Sequence, residues 1–417
     1  MIIRARIILP ISQPAIEDGA IHISGNKIIA VGRWRDLKSV ADQVSDLGES
    51  VVLPGLINAH CHLDYTDMAG MISAPKLFSD WIKAMLALKA QWSYTEYSQS
   101  WLNGAQMLLR TGTTTVADIE AVPELLPDVW SATPLRVCSL LELTGVKNRR
   151  PPVEIIGEAA QKIESLTSER CFAGLSPHAL YSTSPELLKR SAEMARENNW
   201  LLSTHVAESE EESEMFEHRR GAMFNWLKTQ RDVSDCGSSP VEQLEKLGVL
   251  SETFLAVHAN YISESDAALL GQRKCSVVHC PQSHDYFGHK KFPYQMLQGA
   301  GVNICLGTDS LASVVKSKKK SELNLFSEMQ SFAKANPDVS AEKIFQMATL
   351  NGAHALGMQK QIGELTINAF ADLIALPFSG KISEAHEAVL QHRGEVSASM
   401  IDGNWVVSVP RNGAIFS

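Results

Sequence analysis

Apolar residues near both chain ends follow the alternating pattern of half-buried β-strands. Residues 20–24 alternate, Gly25 and Asn26 form a turn signal, and residues 27–32 complete a hairpin pattern. Toward the other end, residues 371–376 and 400–407 carry the same type of pattern. We therefore predict one small β-sandwich domain built from both chain ends, residues 1–53 together with 361–417.

The middle of the chain alternates short apolar runs with longer helical patterns. The runs cover residues 51–53, 113–118, 136–141, 172–176, 201–205, 254–258, 276–279 and 302–306. Helical patterns lie between them, for example at 98–109 and 184–198. About eight β-α units over about 300 residues is the count of a (β/α)₈ barrel. The alternative α/β fold is an open doubly wound sheet, but no G-x-G-x-x-G follows the first strand. We therefore predict a TIM barrel over residues 54–360.

Several histidines and one aspartate coincide with the ends of the predicted barrel strands. His60 and His62 follow the first barrel strand, and residues i and i+2 of a strand point to the same side. Four more ligand-type residues lie at or just after later strands: His178, His205, His258 and Asp309. A single histidine at a strand end is more often a polar cap or a core residue. Because barrel strand ends converge on one rim, the whole set instead predicts a divalent metal site.

Composition and charge narrow the class of protein. The 417 residues are 45% hydrophobic and 20% charged, and the net charge of −9 argues against a nucleic-acid partner. The basic run at residues 316–320 is interpreted as a solvated loop. Seven scattered cysteines without C-x-x-C indicate reduced thiols, and no apolar run approaches a membrane span. We expect a soluble, cytoplasmic protein with a small-molecule substrate and no membrane partner.

Four segments resemble motifs of the amidohydrolase superfamily and occur in the expected order. Residues 53–62 resemble its P-G-x-[IV]-[ND]-x-H-x-H signature. Residues 176–181 are similar to the A-P-H-x-x-Y of adenosylhomocysteine and methylthioadenosine deaminases. Residues 205–208 resemble the H-x-A-E of the mononuclear deaminase and chlorohydrolase branch, and 307–310 match the final aspartate motif. The likeness covers nearly the whole chain, including the β domain.

This resemblance implies one divalent metal with four protein ligands: His60, His62, His205 and Asp309. Zinc is the expected ion, and iron and manganese are alternatives that the same ligand types suit. Dinuclear relatives use a carboxylated lysine as a bridge, but residues 135–145 contain no lysine. Glu142, the only acid in that segment, and Lys147 just beyond it leave a second metal open. A homodimer is an assembly that many relatives form.

The resemblance also implies catalytic roles. Glu208 would carry protons to a ring nitrogen of the substrate, and His258 would polarise the attacking water or the developing oxyanion. Asp309 would pass the proton of water to the departing ammonia, and His178 would contact the substrate. The alternative interpretation of Glu208 is a solvated helix face, because several glutamates follow it at residues 210–214.

Residues 279–289 depart from the pattern of the adenosyl-type deaminases, which have N-P-x-S-N-x-x-L-G there. His284 and Tyr286 replace an asparagine and a small or aliphatic residue in a region that lines the substrate pocket of relatives. We therefore predict both as substrate contacts. The segment is closer to aminodeoxyfutalosine deaminases, as are residues 62–65 with 78–81, which resemble their H-L-[ED]-[FLY] and F-x-x-W.

The predicted function is hydrolytic deamination of an aminopurine nucleoside or a related N-heterocycle, of aminodeoxyfutalosine or adenosyl type. An alternative within the enzyme class is hydrolysis of a cyclic amide or of a ring C–Cl or C–NHR bond at the same metal. An alternative from another class is a non-catalytic scaffold, which the complete set of ligand-type residues disfavours. A zinc cytidine-deaminase fold is disfavoured because H-x-E followed by P-C-x-x-C is absent.

Overall fold

Apolar and β-branched residues dominate the strands, and most strand positions are buried. The computed structural model describes residues 1–39, 43–146, 150–314 and 321–407. The sequence interpretations at Lys147 and at residues 316–320 lie outside the described residues. The strands of the described part are β1 (Ile2–Ile8), β2 (Ile16–Ser24), β3 (Lys27–Arg33), β4 (Val44–Asp46), β5 (Ser50–Pro54), β6 (Leu56–Cys61), β7 (Thr113–Glu120), β8 (Arg136–Leu143), β9 (Phe172–Pro177), β10 (Leu202–Val206), β11 (Phe254–His258), β12 (Ser276–His279), β13 (Asn303–Leu306), β14 (Leu373–Pro377), β15 (Ala398–Ile401) and β16 (Asn404–Val407).

Strands β6 to β13 form one parallel sheet in sequence order. Contacts between its first and last strands bring the edges together: Cys61 forms a parallel bridge with Asp309, and the Thr308 and Asp309 amides donate to the His60 carbonyl at 3.0 and 3.1 Å. The predicted barrel, and not the open sheet, is therefore confirmed. All these strands point their carboxyl ends at one mouth, which is where the active sites of this fold lie.

The two chain ends build a separate eight-stranded sheet in the order β16-β15-β14-β5-β1-β2-β3, with β4 paired to β1. The predicted hairpin is β2 and β3, and the predicted C-terminal strands are β14 to β16. Arg136, at the start of β8, joins this sheet to the barrel. Its buried guanidinium donates to the carboxylate of Asp372 at 3.1 Å, just before β14.

One run was counted in the middle series, although the predicted bounds of the β domain, residues 1–53, include it. The run at residues 51–53 was predicted to begin the alternating series of the middle region, but it lies in β5, which pairs with β1 and antiparallel with β14. The first barrel strand is β6, so His60 lies inside that strand and not after it. Three consecutive buried apolar residues fit either sheet, so their pattern cannot distinguish the two. Gly55 separates the strands where a β-carbon would lie 2.1 Å from the hydroxyl oxygen of Thr114.

Helices follow most barrel strands, and two short helices lie between strands of the sheet built from the chain ends. The helices of the described part are α1 (Trp34–Leu37), α2 (Phe78–Lys89), α3 (Tyr94–Arg110), α4 (Asp128–Ser131), α5 (Pro152–Ser165), α6 (Pro185–Asn198), α7 (Glu210–His218), α8 (Gly221–Leu227), α9 (Pro240–Lys246), α10 (Glu264–Gln272), α11 (Pro281–Phe287), α12 (Tyr294–Gly299), α13 (Leu325–Ala335), α14 (Ala341–Met347), α15 (Leu350–Ala355) and α16 (Ala385–Leu390). Short 3₁₀ turns lie at Leu63–Met68, Pro123–Leu125, Leu311–Ser313 and Ile382–Glu384.

Local signals explain the two helices predicted from sequence. Ser184 caps α6 by accepting a hydrogen bond from the Leu187 amide, with proline at the first helical position. Ser93 and Glu96 form a capping box at the start of α3, which contains the predicted helix 98–109. Among the helices of the described residues, none combines the length and apolar character that crossing a membrane requires.

Candidate active site

Residues from four barrel strands meet at the mouth. The end of β6 supplies two histidines, β10 and β11 supply one each, and the segment after β13 supplies an aspartate. Three groups have their potential ligand atoms within 4.8 Å of one another: His60, His205 and His258; His60, His62 and Asp309; and Glu208, His258 and Asp309. The Nε2 atoms of His60 and His62 each lie 3.6 Å from Oδ1 of Asp309. The convergence predicted from the strand ends is therefore present.

The donor atoms of this cluster fit a divalent metal. Within the described part of the chain, neither ring nitrogen of His60 has a hydrogen-bond partner, and the same holds for Nδ1 of His62 and Nε2 of His258. A buried polar atom left without a partner costs about 1–3 kcal/mol. Imidazole nitrogen and carboxylate oxygen are ligands that zinc and similar ions take, and coordination would satisfy these atoms. The cluster is a candidate site for a divalent metal.

Neighbouring groups orient the cluster. Nδ1 of His205 lies 2.8 Å from the His178 carbonyl oxygen, so this nitrogen carries the proton and leaves Nε2 free as a ligand. Burial lowers the pKa of His205 to about 3, which keeps the ring neutral. The Ser283 hydroxyl donates to Oδ2 of Asp309 at 2.6 Å and leaves Oδ1 facing the histidines. Neutral imidazole and ionised carboxylate are the metal-binding forms.

The charge state of Asp309 follows from its neighbours. Burial alone would raise the pKa of this carboxyl, but the imidazole of His60, 3.6 Å away, and the nearby rings of His258 and His62 lower its pKa well below the ordinary value. The ionised form of Asp309 is therefore favoured, which is the form that could bind a metal.

Glu208 lies directly beside the cluster. It follows β10, after Ala207 with a positive φ of 47°, and its Oε1 lies 3.5 Å from Nε2 of His258. Burial, followed by the charges of Asp309 and Glu212, raises the pKa of Glu208 well above its ordinary value. A raised pKa favours the protonated form of a carboxyl, which is the form that acts as a general acid. Since the side chain is 7% exposed, it is not part of a solvated helix face.

A cavity of about 310 Å³ opens over the cluster. One wall is apolar and comes from α2 and α8: Phe78, Trp81, Ile82, Met85, Leu86, Trp226 and Leu227. The opposite side carries His178, whose Nδ1 lies 2.7 Å from the Ser182 hydroxyl. The predicted substrate contact at His178 thus lines the cavity. A cavity of this size with aromatic walls and a few polar groups is typical of a small-molecule site.

An ion pair in the cavity wall was missed by the sequence analysis. Nζ of Lys89, at the end of α2, lies 3.3 Å from Oε1 of Glu142, at the end of β8, and both residues line the cavity. Burial alone would raise the pKa of Glu142, but Lys89 and His178 lower it. Glu142 belongs to none of the metal-ligand groups found among the described residues. Lys89 lacks a motif, and its only signal is its position on the helix of the apolar wall.

Two predicted substrate contacts lie away from this cavity. His284 and Tyr286 are on α11, and neither belongs to the cavity lining found in the described part. Nδ1 of His284 lies 3.1 Å from Oδ1 of Asn260, and the Tyr286 hydroxyl donates to the Ile72 carbonyl at 3.2 Å. Contact of either side chain with substrate stays a prediction.

Comparison with known proteins identifies the family. Residues 51–406 match the model of the amidohydrolase family. The chain belongs to this family. A related amidohydrolase, the 5-methylthioadenosine/S-adenosylhomocysteine deaminase of Syntrophobacter fumaroxidans, is 32% identical over 379 residues, which cover 87% of this chain and 80% of the relative.

Solved amidohydrolase structures share the fold. The aminofutalosine deaminase of Helicobacter pylori in complex with methylthio-coformycin aligns with a TM-score of 0.86 at 24% identity, covering 97% of this chain and all of the other. The atrazine chlorohydrolase of Arthrobacter aurescens TC1 complexed with zinc aligns with a TM-score of 0.84 at 19% identity, covering 98% and 95%. At these identities the likeness shows the barrel with its appended sheet.

Proposed function

We propose that this protein is a metal-dependent hydrolytic deaminase of an adenosine-type nucleoside. The observation that carries the proposal is the position of Glu208, whose Oε1 lies 3.5 Å from Nε2 of His258, in an aromatic-walled cavity beside histidine nitrogens that have no partner among the described residues. The relative from Syntrophobacter fumaroxidans is named for the same reaction class, and so is the structural neighbour from Helicobacter pylori.

We assign the metal ligands to His60, His62, His205 and Asp309, and we propose zinc as the ion. The zinc in the structure of the related chlorohydrolase supports this choice over iron and manganese. When bound, a divalent cation supplies Lewis acidity, which lowers the pKa of water from about 15.7 toward 7. One ion is proposed, because Glu142 is engaged by Lys89 at 3.3 Å.

Glu208 and Asp309 transfer the protons of the proposed reaction. Glu208 donates its proton to the ring nitrogen next to the amino-bearing carbon, so that carbon accepts water without building excess negative charge on the ring. Asp309 takes one proton from the attacking water and delivers it to the amino group, which leaves as ammonia. His258, 3.5 Å from Glu208, faces the oxygen that becomes the product carbonyl. Glu208 recovers its proton from that oxygen as the carbonyl forms.

The cavity supports a flat heteroaromatic substrate. Trp81, Phe78 and Trp226 offer aromatic faces, while His178 and the Lys89–Glu142 pair offer polar contacts away from the metal ligands. Seven buried free thiols support a cytoplasmic enzyme. Aminodeoxyfutalosine and adenosyl-type nucleosides are both candidate substrates.

The test is a substrate screen with protein of known metal content. Zinc-loaded protein is incubated with adenosine, methylthioadenosine, adenosylhomocysteine, aminodeoxyfutalosine and guanine, and ammonia release is measured. We expect turnover of at least one nucleoside. The alternative hydrolase would be supported instead if no aminopurine releases ammonia while the same sample turns over a cyclic amide or a chlorinated ring.

A further inference from the structure

Two neighbouring mouth loops fix the backbone around Glu208. The loop after β11 donates to the loop after β10: the Ala259 amide bonds to the Val206 carbonyl at 2.9 Å, and the Asn260 amide bonds to the Ala207 carbonyl at 3.1 Å. Ala207 and Ala259 both have positive φ values, 47° and 49°. Alanine rarely adopts this left-handed backbone conformation by itself, so the surrounding contacts hold both residues in it.

Glu208 itself is bonded at both ends of its backbone. Its amide donates to Oε2 of Glu212 at 2.9 Å, and its carbonyl accepts from Nδ2 of Asn260 at 3.0 Å. The bond from Asn260 to the Glu208 carbonyl joins the loop after β11 to the loop after β10, and it is buried. The position of the Glu208 carboxyl relative to His258 therefore depends on the orientation of the Asn260 amide.

His284 is the second partner that holds the Asn260 amide in that orientation. Because the Glu208 carbonyl can only accept, the Asn260 nitrogen must face it, and Oδ1 of Asn260 must face Nδ1 of His284 at 3.1 Å. Nδ1 of His284 therefore carries a proton and donates it to Asn260. Without this donor, Oδ1 of Asn260 would lose its partner at 3.1 Å, and the bond to the Glu208 carbonyl alone would hold the amide in place.

The same helix also holds the second catalytic carboxylate. Ser283, next to His284 on α11, donates to Oδ2 of Asp309 at 2.6 Å. Gln282 is held by α13, because its backbone amide and side-chain amide donate to the carboxyl group of Glu328 at 2.9 and 2.6 Å. Three consecutive residues thus connect the body of the barrel to both carboxylates of the site.

We propose that His284 is a positioning residue that acts on Glu208 through Asn260, and not a substrate contact. The inference rests on the proposed function for the role of Glu208, but the contact chain from His284 to Glu208 stands on geometry alone. It assigns a purpose to the residue at which this chain departs most clearly from the adenosyl-type deaminase pattern.

The kinetic test compares variants at the two residues that link α11 to Glu208, His284 and Asn260. His284→Leu removes the donor, and Asn260→Asp replaces the nitrogen that bonds to Glu208 with an oxygen. Each is expected to lower kcat about 10- to 100-fold with little change in KM, because Glu208 is displaced while the cavity stays intact. His284→Asn is expected to restore most of the rate, since its Nδ2 lies the same number of bonds from Cα as imidazole Nδ1.

Control variants distinguish a displaced Glu208 from a general loss of structure. Asp285→Asn changes the next residue of α11, whose carboxylate accepts from the Ser331 hydroxyl at 2.8 Å, and is expected to keep the wild-type rate. The double variant with both His284→Leu and Asn260→Asp is expected to be no slower than either single variant, because both break one connection. A raised KM with unchanged kcat in His284→Leu would overturn the proposal in favour of direct substrate contact.

A structural readout decides the proposal independently of activity. In crystals of His284→Leu we expect a rotated Asn260 amide and a Glu208 carboxyl displaced from His258, with the wild-type arrangement in His284→Asn. An unmoved Glu208 in His284→Leu would overturn the proposal. If that variant does not fold, crystals of the isosteric Asn260→Asp answer the same question. If wild-type protein deaminates no nucleoside, the proposed function fails, while the crystals still decide the positioning role.

Discussion

A buried ion pair joins the barrel to the eight-stranded sheet built from the chain ends. Arg136 and Asp372 are both about 2% exposed in their side chains, with Nε and Oδ2 3.1 Å apart, and the guanidinium stacks on Phe370. Removing one partner of such a pair costs about 3–5 kcal/mol, because the other charge stays buried. Asp402, whose Oδ1 lies 3.6 Å from Arg136, compensates in part. We therefore expect Asp372→Ala to lower the free energy of unfolding by about 3 kcal/mol.

Matched variants make this prediction specific. Asp18→Asn removes the charge that pairs with Arg4 in a solvent-exposed pair at 2.9 Å, and asparagine tolerates the positive φ of 45° at this position. It should cost less than about 1 kcal/mol. Changing both partners, Arg136→Met with Asp372→Ala, should recover most of the loss because no buried charge remains. Equilibrium urea unfolding followed by tryptophan fluorescence measures all three. Equal small losses for Asp372→Ala and Asp18→Asn would refute the reasoning.

Three further predictions concern the metal, the mouth and pH. Removing the metal with a chelator should abolish activity and lower the melting temperature, both restored by zinc; a ligand at 1,000 times its Kd stabilises by about 4 kcal/mol. Gly307→Ala should weaken zinc binding at least about 10-fold in a competition titration, because the new β-carbon would lie 2.7 Å from the His60 carbonyl oxygen. Burial raises the pKa of Glu328 to about 8 from 4.5, so the stability it contributes is fully present below pH 4.5 and is lost as pH rises through 8. Urea unfolding at pH 5, 7 and 9 should show wild type losing stability relative to Glu328→Gln, and parallel curves would contradict this.

The fold and the metal cluster could be predicted because their signals are local. In the sequence, the barrel strands are visible as short apolar runs, and His205 and His258 lie at the ends of two of these runs. The run at residues 51–53 was assigned to the wrong series because a short apolar run shows burial but not which strand it pairs with.

The remaining features of the site depend on tertiary geometry. Lys89 reaches Glu142 only because α2 lies across the mouth, and no spacing in the sequence indicates that contact. The residue type of His284 was visible in the sequence, but its partner Asn260 lies 24 positions away on another loop. Sequence patterns show which chemistry is present, while side-chain direction follows from packing.

Glu208→Gln tests the central claim most directly. Wild-type protein and the variant are loaded with zinc, their metal content is measured, and ammonia release is followed on the substrate that wild type turns over. We expect equal zinc content and a loss of kcat of about 100-fold or more, because the amide cannot deliver the proton. A variant that binds zinc and keeps the wild-type rate would contradict the account of Glu208 as the acid of a hydrolytic deaminase.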